Sequence, residues 1–220
     1  MMNRQEIKAV IFDMDGVLVD SEPVYFEIER YLFSYFNVNV SKEQHQAFVG
    51  TSIEDMWEKI IKDNNLKENK EVIVDYHKNY VIKHMEMLSK LSLTKNVKEL
   101  LEDLKRKGIK IGLASSSTKQ LIDIILNKLN IRDFFQAIVS GDEVKESKPN
   151  PEIFIKAAQF LNVSPNECVV IEDSSNGVKA AKAAGMKCIG FLNPHSGNQN
   201  LKNSDMIISE FSSINSYLDI

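Results

Sequence analysis

Ala9-Val10-Ile11-Phe12-Asp13-Met14-Asp15-Gly16-Val17-Leu18-Val19-Asp20-Ser21 carries four apolar residues straight into two carboxylates one residue apart, followed by a glycine. A short run that is apolar throughout reads as a strand buried on both faces, as in parallel sheets. Two carboxylates at the end of such a strand repel each other, and a cation between them relieves that repulsion. A hard ion such as Mg²⁺ fits, because it takes oxygen ligands and usually keeps one or two protein carboxylates along with phosphate oxygens. An Asp pair capping a turn is the competing reading of this spacing taken alone.

Working outward, four more apolar runs read as buried strands: Ile109 to Ala114, Ala137 to Val139, Cys168 to Ile171 and Lys187 to Phe191. Helical spacing over Val97 to Lys107, Thr118 to Leu129, Pro151 to Leu161 and Ser175 to Ala184 alternates with them, the ends marked by Pro151, Gly108 and Gly185. That alternation predicts an α/β fold with a doubly wound, mainly parallel sheet and a Rossmann-like core. Between the first two strands lie some ninety residues without a strand run. Helical spacing over Pro23 to Tyr35, Ser52 to Asn64 and Lys70 to Leu88 predicts an inserted helical cap there, residues 20–90, with the core formed by 1–19 and 91–220. The aromatics Tyr25, Phe26, Tyr31, Phe33, Tyr35, Phe36, Trp57, Tyr76 and Tyr80 are expected mostly to pack the cap's own core. Asn193 to Ser204, rich in Asn, Ser, Gly and Pro, reads as a surface loop before an edge strand, Met206 to Ile208, and a short terminal helix.

Three further segments follow predicted strands, at the sheet edge where open α/β folds place ligands. Ser115-Ser116-Ser117-Thr118 offers hydroxyls and backbone N–H groups at a helix start, suited to phosphate oxygens, with an ordinary N-cap as the alternative. Lys148 stands before Pro149, where helix continuation is disfavoured, so its charge is either held at the site or solvated. Glu172-Asp173 ends the Cys168 to Ile171 run, with Asp173 a metal ligand or a helix cap.

The composition, 43% hydrophobic and 26% charged over 220 residues, is that of an ordinary globular chain, which argues against disorder. With a formal charge of -4 and no dense Lys/Arg cluster, nucleic acid is not an expected partner. No run approaches the ~20 apolar residues of a membrane span, and the N-terminus lacks a signal-like apolar stretch, so a cytoplasmic protein is expected. Cys168 and Cys188 read as buried reduced thiols, and His45, His77, His84 and His195 as packing or exposed residues. The oligomeric state is not legible, and a monomer is compatible with the sequence.

Asp13-Met14-Asp15-Gly16, Ser115 at a strand end, Lys148 before Pro149 and Glu172-Asp173-Ser174 occur in the order of the haloacid-dehalogenase-like hydrolases. From about residue 8 to 195 the chain resembles their phosphatase and β-phosphoglucomutase-like branch with a helical cap. The resemblance implies Mg-dependent hydrolysis of a small phosphorylated metabolite, a sugar or polyol phosphate. Asp13 is implied as the nucleophile that becomes an aspartyl-phosphate, and Asp15 as the acid/base. Mg²⁺ would be held by Asp13, the main chain of Asp15 and Asp173, with Glu172 assisting, while Ser115, Ser116 and Lys148 grip phosphoryl oxygens. It also implies that the first and fourth strands are neighbours and that the cap, with groups such as Arg30, Lys59, Lys78 and Lys83, closes over the site and chooses the substrate.

Asp15 separates the chain from the halide-releasing enzymes of that superfamily, which lack this acid/base. Val49-Gly50-Thr51-Ser52 and Ser21 resemble the mutase subfamily, but Ile53 stands where a phosphate-gripping Arg is expected and Tyr25 where a His is expected. A sugar-phosphate mutase is therefore the alternative reading, followed by a non-catalytic binding protein on the same fold. Phospho-receiver domains share strand-end Asp residues but lack a long cap insertion.

Overall fold

The computed structural model describes residues 6–48 and 51–214. Val49 and Gly50 of the mutase-like loop, and the chain beyond Ile214, lie outside them; the expected terminal helix is represented by one 3-10 turn at Phe211–Ser213. Among the described residues there are six strands, β1 (Ala9–Phe12), β2 (Lys110–Ala114), β3 (Ala137–Val139), β4 (Cys168–Glu172), β5 (Lys187–Phe191) and β6 (Met206–Ile208). The helices are α1 (Glu22–Tyr35), α2 (Lys42–Ala47), α3 (Ile53–Asn64), α4 (Lys70–Met87), α5 (Val97–Arg106), α6 (Lys119–Lys128), α7 (Glu152–Leu161) and α8 (Ser175–Ala183). The strands form one sheet in the order β3-β2-β1-β4-β5-β6, every pair parallel, which makes this a Rossmann-like α/β fold.

The chain divides into two compact units, residues 1–20 with 91–220 and residues 21–90. In the first, all four residues of β1 and Cys168 to Ile171 of β4 are buried, which accounts for their unbroken apolar runs. Ala9 and Ile11 share a core with Ile153, Phe154, Ala157 and Ala158 of α7 and with Val178 and Ala181 of α8. Where the chain leaves and re-enters this unit, Val19 bridges Leu93 antiparallel and Thr94 N–H donates to the Leu18 carbonyl at 2.9 Å.

The loop from Asn193 to Ser204 is not simply a surface loop. Leu201 packs into the α7/α8 core and Ser196 is buried, 4% exposed each, because the loop folds back along the ends of β1 and β4. A polar composition predicts solvent contact only on average.

In the second unit, α2 was not predicted. Its sequence has no apolar period, and a capping box starts it: Ser41 Oγ accepts from Gln44 N–H while Gln44 Oε1 accepts from Ser41 N–H. Trp57 and Phe33 are buried as expected, but Tyr31 and Tyr35 depart from that expectation. Tyr31 stacks on Tyr80 and Tyr35 on Tyr76 at 4.7 and 4.8 Å between centroids, and Tyr31 and Tyr35 are 46% and 55% exposed. The phenol's polar tip lets such a ladder remain in water while its ring faces are covered.

His77 is 1% exposed, and its Nδ1 accepts from Trp57 Nε1–H at 2.9 Å, so that nitrogen carries no proton. Burial pushes its pKa down to about 4. Between about pH 6.5 and 4 the unfolded chain binds a proton that the folded chain refuses, so stability present at neutral pH is lost as pH falls through that window. The native protein is expected to lose about 2 to 3 kcal/mol more than His77→Gln between about pH 7 and pH 4.5, read by urea unfolding. Parallel losses in the two proteins overturn this account.

Gly177 lies in the first turn of α8, where alanine ordinarily stabilises by about 1 kcal/mol. Here a Cβ would lie 1.7 Å from Glu172 Oε1, the end of a buried side chain. Gly177→Ala is therefore expected to destabilise by about 2 kcal/mol or more, seen as a lower urea midpoint. A raised midpoint defeats the expectation.

Candidate active site

Parallel register brings the strand ends level. Phe12 lies opposite Ile171 of β4 and Leu113 of β2, and Asp13 N–H donates to the Ile171 carbonyl at 3.0 Å. Asp13 therefore leaves the sheet between Glu172 on one side and Ala114 on the other. The chain turns at once: Gly16 N–H donates to the Val19 carbonyl at 2.8 Å, and the Met14 carbonyl accepts from Leu18 N–H at 2.9 Å. Gly16 has φ +78°, and a Cβ there would lie 1.9 Å from Asp173 Oδ2, so glycine is required by both conformation and space.

Asp13, Glu172 and Asp173 are 7%, 1% and 5% exposed, and each offers a carboxylate oxygen within 4.8 Å of the others. Lys148, its side chain 6% exposed, reaches into this cluster from the β3–α7 connection. Its Nζ donates to Asp13 Oδ1 at 2.5 Å, Glu172 Oε1 at 2.7 Å and the Ala114 carbonyl at 3.1 Å, which occupies all three ammonium protons. Burial alone would lower the Lys148 pKa; the Asp13 and Glu172 carboxylates overcome it and raise it. Burial raises the Asp13 carboxyl well above the usual range, Lys148 opposes this, and Glu172, Asp173 and Asp15 add to it. The cluster thus holds more negative charge than one lysine offsets. Its all-oxygen donor set suits a hard divalent cation.

Around it, Asp15 is half-buried, and its Oδ2 accepts from Ser117 Oγ at 2.9 Å. Ser115 is 1% exposed; its N–H donates to the Val139 carbonyl at 3.1 Å and its Oγ accepts from Ser117 N–H at 3.1 Å. Ser116 is exposed, with its carbonyl packed where a Cβ on Gly141 would reach. Thr118 is the α6 N-cap, its hydroxyl accepting from Leu121 N–H. Glu172 is no surface charge: Oε2 accepts from Ser174 N–H and Oγ–H at 2.8 and 2.9 Å while Oε1 takes Lys148.

Asp13, Lys148, Glu172 and Asp173 are thereby brought together from positions 160 residues apart, and Asp15 and Ser115 lie on the adjoining turns. The contact of Ser117 with Asp15 and the part of Ser196 are not foreseen from the sequence. Ser117 was the third of four hydroxyl residues, with nothing to single it out, and Ser196 sat in a stretch read as solvent loop. Ser196 Oγ donates to Asp173 Oδ2.

Among the described residues no Cys or His joins the acidic cluster. Both cysteines are buried free thiols, and burial pushes Cys168 up to about 11 and Cys188 up to about 12, far from the thiolate form. His45 is buried, stacked on Phe26 and paired with Glu29 Oε2 at 2.5 Å, and His195 pairs with Asp20 Oδ2 at 2.7 Å. No helix among the described residues is long and apolar enough to cross a membrane.

A sequence profile of the haloacid dehalogenase-like hydrolases matches residues 10–191. A phosphorylated carbohydrates phosphatase of Thermotoga maritima is 36% identical over 185 residues, 83% of this chain and 84% of that protein. A β-phosphoglucomutase of Bacillus subtilis is also 36% identical, over 194 residues, 84% of this chain and 83% of that one. The crystal structure of a putative β-phosphoglucomutase from Thermotoga maritima superposes with a TM-score of 0.77 at 32% identity, covering 97% of this chain and all of the other. A profile that spans most of the chain, and relatives that align over most of their own length, agree with the strand order and the acidic cluster: the chain belongs to the haloacid dehalogenase-like hydrolase family.

Proposed function

We propose that the protein is a Mg²⁺-dependent phosphatase of a small phosphorylated metabolite, a sugar or polyol phosphate, acting through an aspartyl-phosphate on Asp13. The observation that carries this reading is Lys148 Nζ bridging Asp13 and Glu172 inside a buried carboxylate cluster that has charge to spare for a divalent cation.

An oxygen of Asp13 attacks phosphorus in line with the ester oxygen, whose bond to phosphorus breaks as Asp15 gives it a proton and the alcohol departs. Asp15, now a carboxylate, takes a proton from water, which attacks the phosphorus of the aspartyl-phosphate. Inorganic phosphate leaves and the Asp13 carboxylate is restored. The Ser117 hydroxyl on Asp15 Oδ2 steers the carboxyl that must move these two protons. Ser115, Ser116 and Lys148 are assigned to the phosphoryl oxygens, with Lys148 exchanging one of its three present acceptors for a phosphoryl oxygen when substrate arrives.

Mg²⁺ would be held by Asp13, the main-chain carbonyl of Asp15 and Asp173, with Glu172 at its side, and it supplies positive charge to the phosphoryl oxygens. With Asp15 protonated for the first step, three carboxylates face Lys148 and one divalent ion, and the charges cancel. The inserted unit, residues 21–90, is assigned the part of a cap that selects the substrate. A phosphatase of phosphorylated carbohydrates among the relatives supports the substrate class.

The mutase reading is favoured by the Bacillus subtilis relative, which is as similar as the phosphatase. Against it stand Ile53, the first residue of α3 behind the Ser52 cap, and Tyr25 in α1, neither carrying the positive charge with which Arg and His would grip a second phosphate.

Asp13→Asn is expected to lower phosphate release from p-nitrophenyl phosphate by more than about 10³-fold while circular dichroism stays native. EDTA is expected to silence the native enzyme until Mg²⁺ is restored. Native turnover by Asp13→Asn, or full activity in EDTA, refutes the mechanism. Assayed on hexose and hexitol phosphates for both free phosphate and isomerised ester, the protein is expected to release phosphate only. Isomerised product as the main outcome identifies a mutase instead.

A further inference from the structure

The β5–β6 loop touches both Asp173 of the acidic cluster and the Gly16 turn beside it. Asn193 Nδ2–H donates to the Gly16 carbonyl at 3.1 Å, on the turn that carries Asp15. Three residues on, Ser196 Oγ–H donates to Asp173 Oδ2, the oxygen that a Cβ on Gly16 would strike. The Asp173 carboxylate is thus lodged between a glycine and a serine.

The loop itself is tied down. Asn193 Oδ1 accepts from His195 N–H at 2.8 Å, and His195 Nδ1 meets Asp20 Oδ2 at 2.7 Å. Further along, Gln199 Oε1 accepts from Ser175 N–H at 2.9 Å, and Asn200 N–H donates to Ser175 Oγ at 2.6 Å, at the start of α8. Ser196 is 4% exposed, and burying a hydroxyl costs free energy unless it is hydrogen-bonded. Its only proton is spent on a carboxylate of the cluster. β1 and β4 set the spacing of the backbones, but the direction of Asp173's oxygens is a side-chain torsion that the sheet does not control. The Ser196 hydroxyl is one hydrogen bond that directs it, while Asn193 holds the facing turn.

We propose that Ser196, with Asn193, is a positioning residue for a divalent cation: it sets the affinity of the Asp13/Asp173 cluster without contacting the ion. This rests on the reading of that cluster as a cation site. Groups that hydrogen-bond to metal-binding side chains typically change affinity by about 10 to 100-fold when removed, because a ligand that must be reoriented binds less well.

The test is isothermal titration of Mg²⁺ into the full chain, independent of turnover, for the native protein, Ser196→Ala, Ser196→Thr, Ser196→Cys and Asp173→Ala. Ser196→Ala is expected to bind Mg²⁺ about 10 to 100-fold more weakly, and Ser196→Thr, which keeps the hydroxyl, to recover most of the loss. Ser196→Cys keeps the volume with a weak donor and is read in the same way if the alanine variant does not fold. Native affinity in the alanine or cysteine variant, with binding lost in Asp173→Ala, overturns the positioning role and leaves the cation site standing. Absence of Mg²⁺ binding by the native protein overturns both.

Discussion

Three carboxylates buried at the ends of two neighbouring strands are the constraint around which the unit of residues 1–20 and 91–220 is organised. Asp13, Glu172 and Asp173 stand almost out of water, where like charges at a few ångströms oppose folding. Lys148 answers part of that repulsion by placing its ammonium between two of them, with a third proton on a backbone carbonyl. The remainder is the electrostatic deficit that a divalent ion would fill. The same surplus that burdens the fold is what makes the site a receptor for positive charge.

Parallel pairing makes this arrangement repeatable. Because β1 and β4 run side by side in register, residues after Phe12 and Ile171 emerge together, and the β2 end supplies the Ala114 carbonyl to the same ammonium. Two glycines keep the packing open: Gly16 leaves room for Asp173, and Gly177 leaves room for Glu172. The inserted helical unit obeys different physics, with a core of Phe33 and Trp57, buried histidines that act as packing and hydrogen-bonding groups, and a half-solvated tyrosine ladder.

The strands were legible because burial on both faces demands uninterrupted apolar runs, and all six predicted runs form strands within a residue of their expected ends. The long helices were legible by period and punctuation. α2 was not, because five polar residues and one alanine carry no apolar period and the helix owes its start to a cap. The exposed tyrosines were misplaced because an aromatic ring is apolar on its faces and polar at its tip, and sequence alone does not say which part meets solvent.

By itself, the sequence determined the residue types of the acidic strand ends, the lysine before a proline and the insertion between the first two strands, since each is a local pattern with a local cause. Only the tertiary structure decided that Glu172 is buried under Lys148, that Ser117 holds Asp15, and that Ser196 holds Asp173. Those contacts join segments that are separate in the chain. A hydroxyl in a polar loop looks the same in sequence whether it faces water or a carboxylate, and the folding of the backbone around it makes the difference.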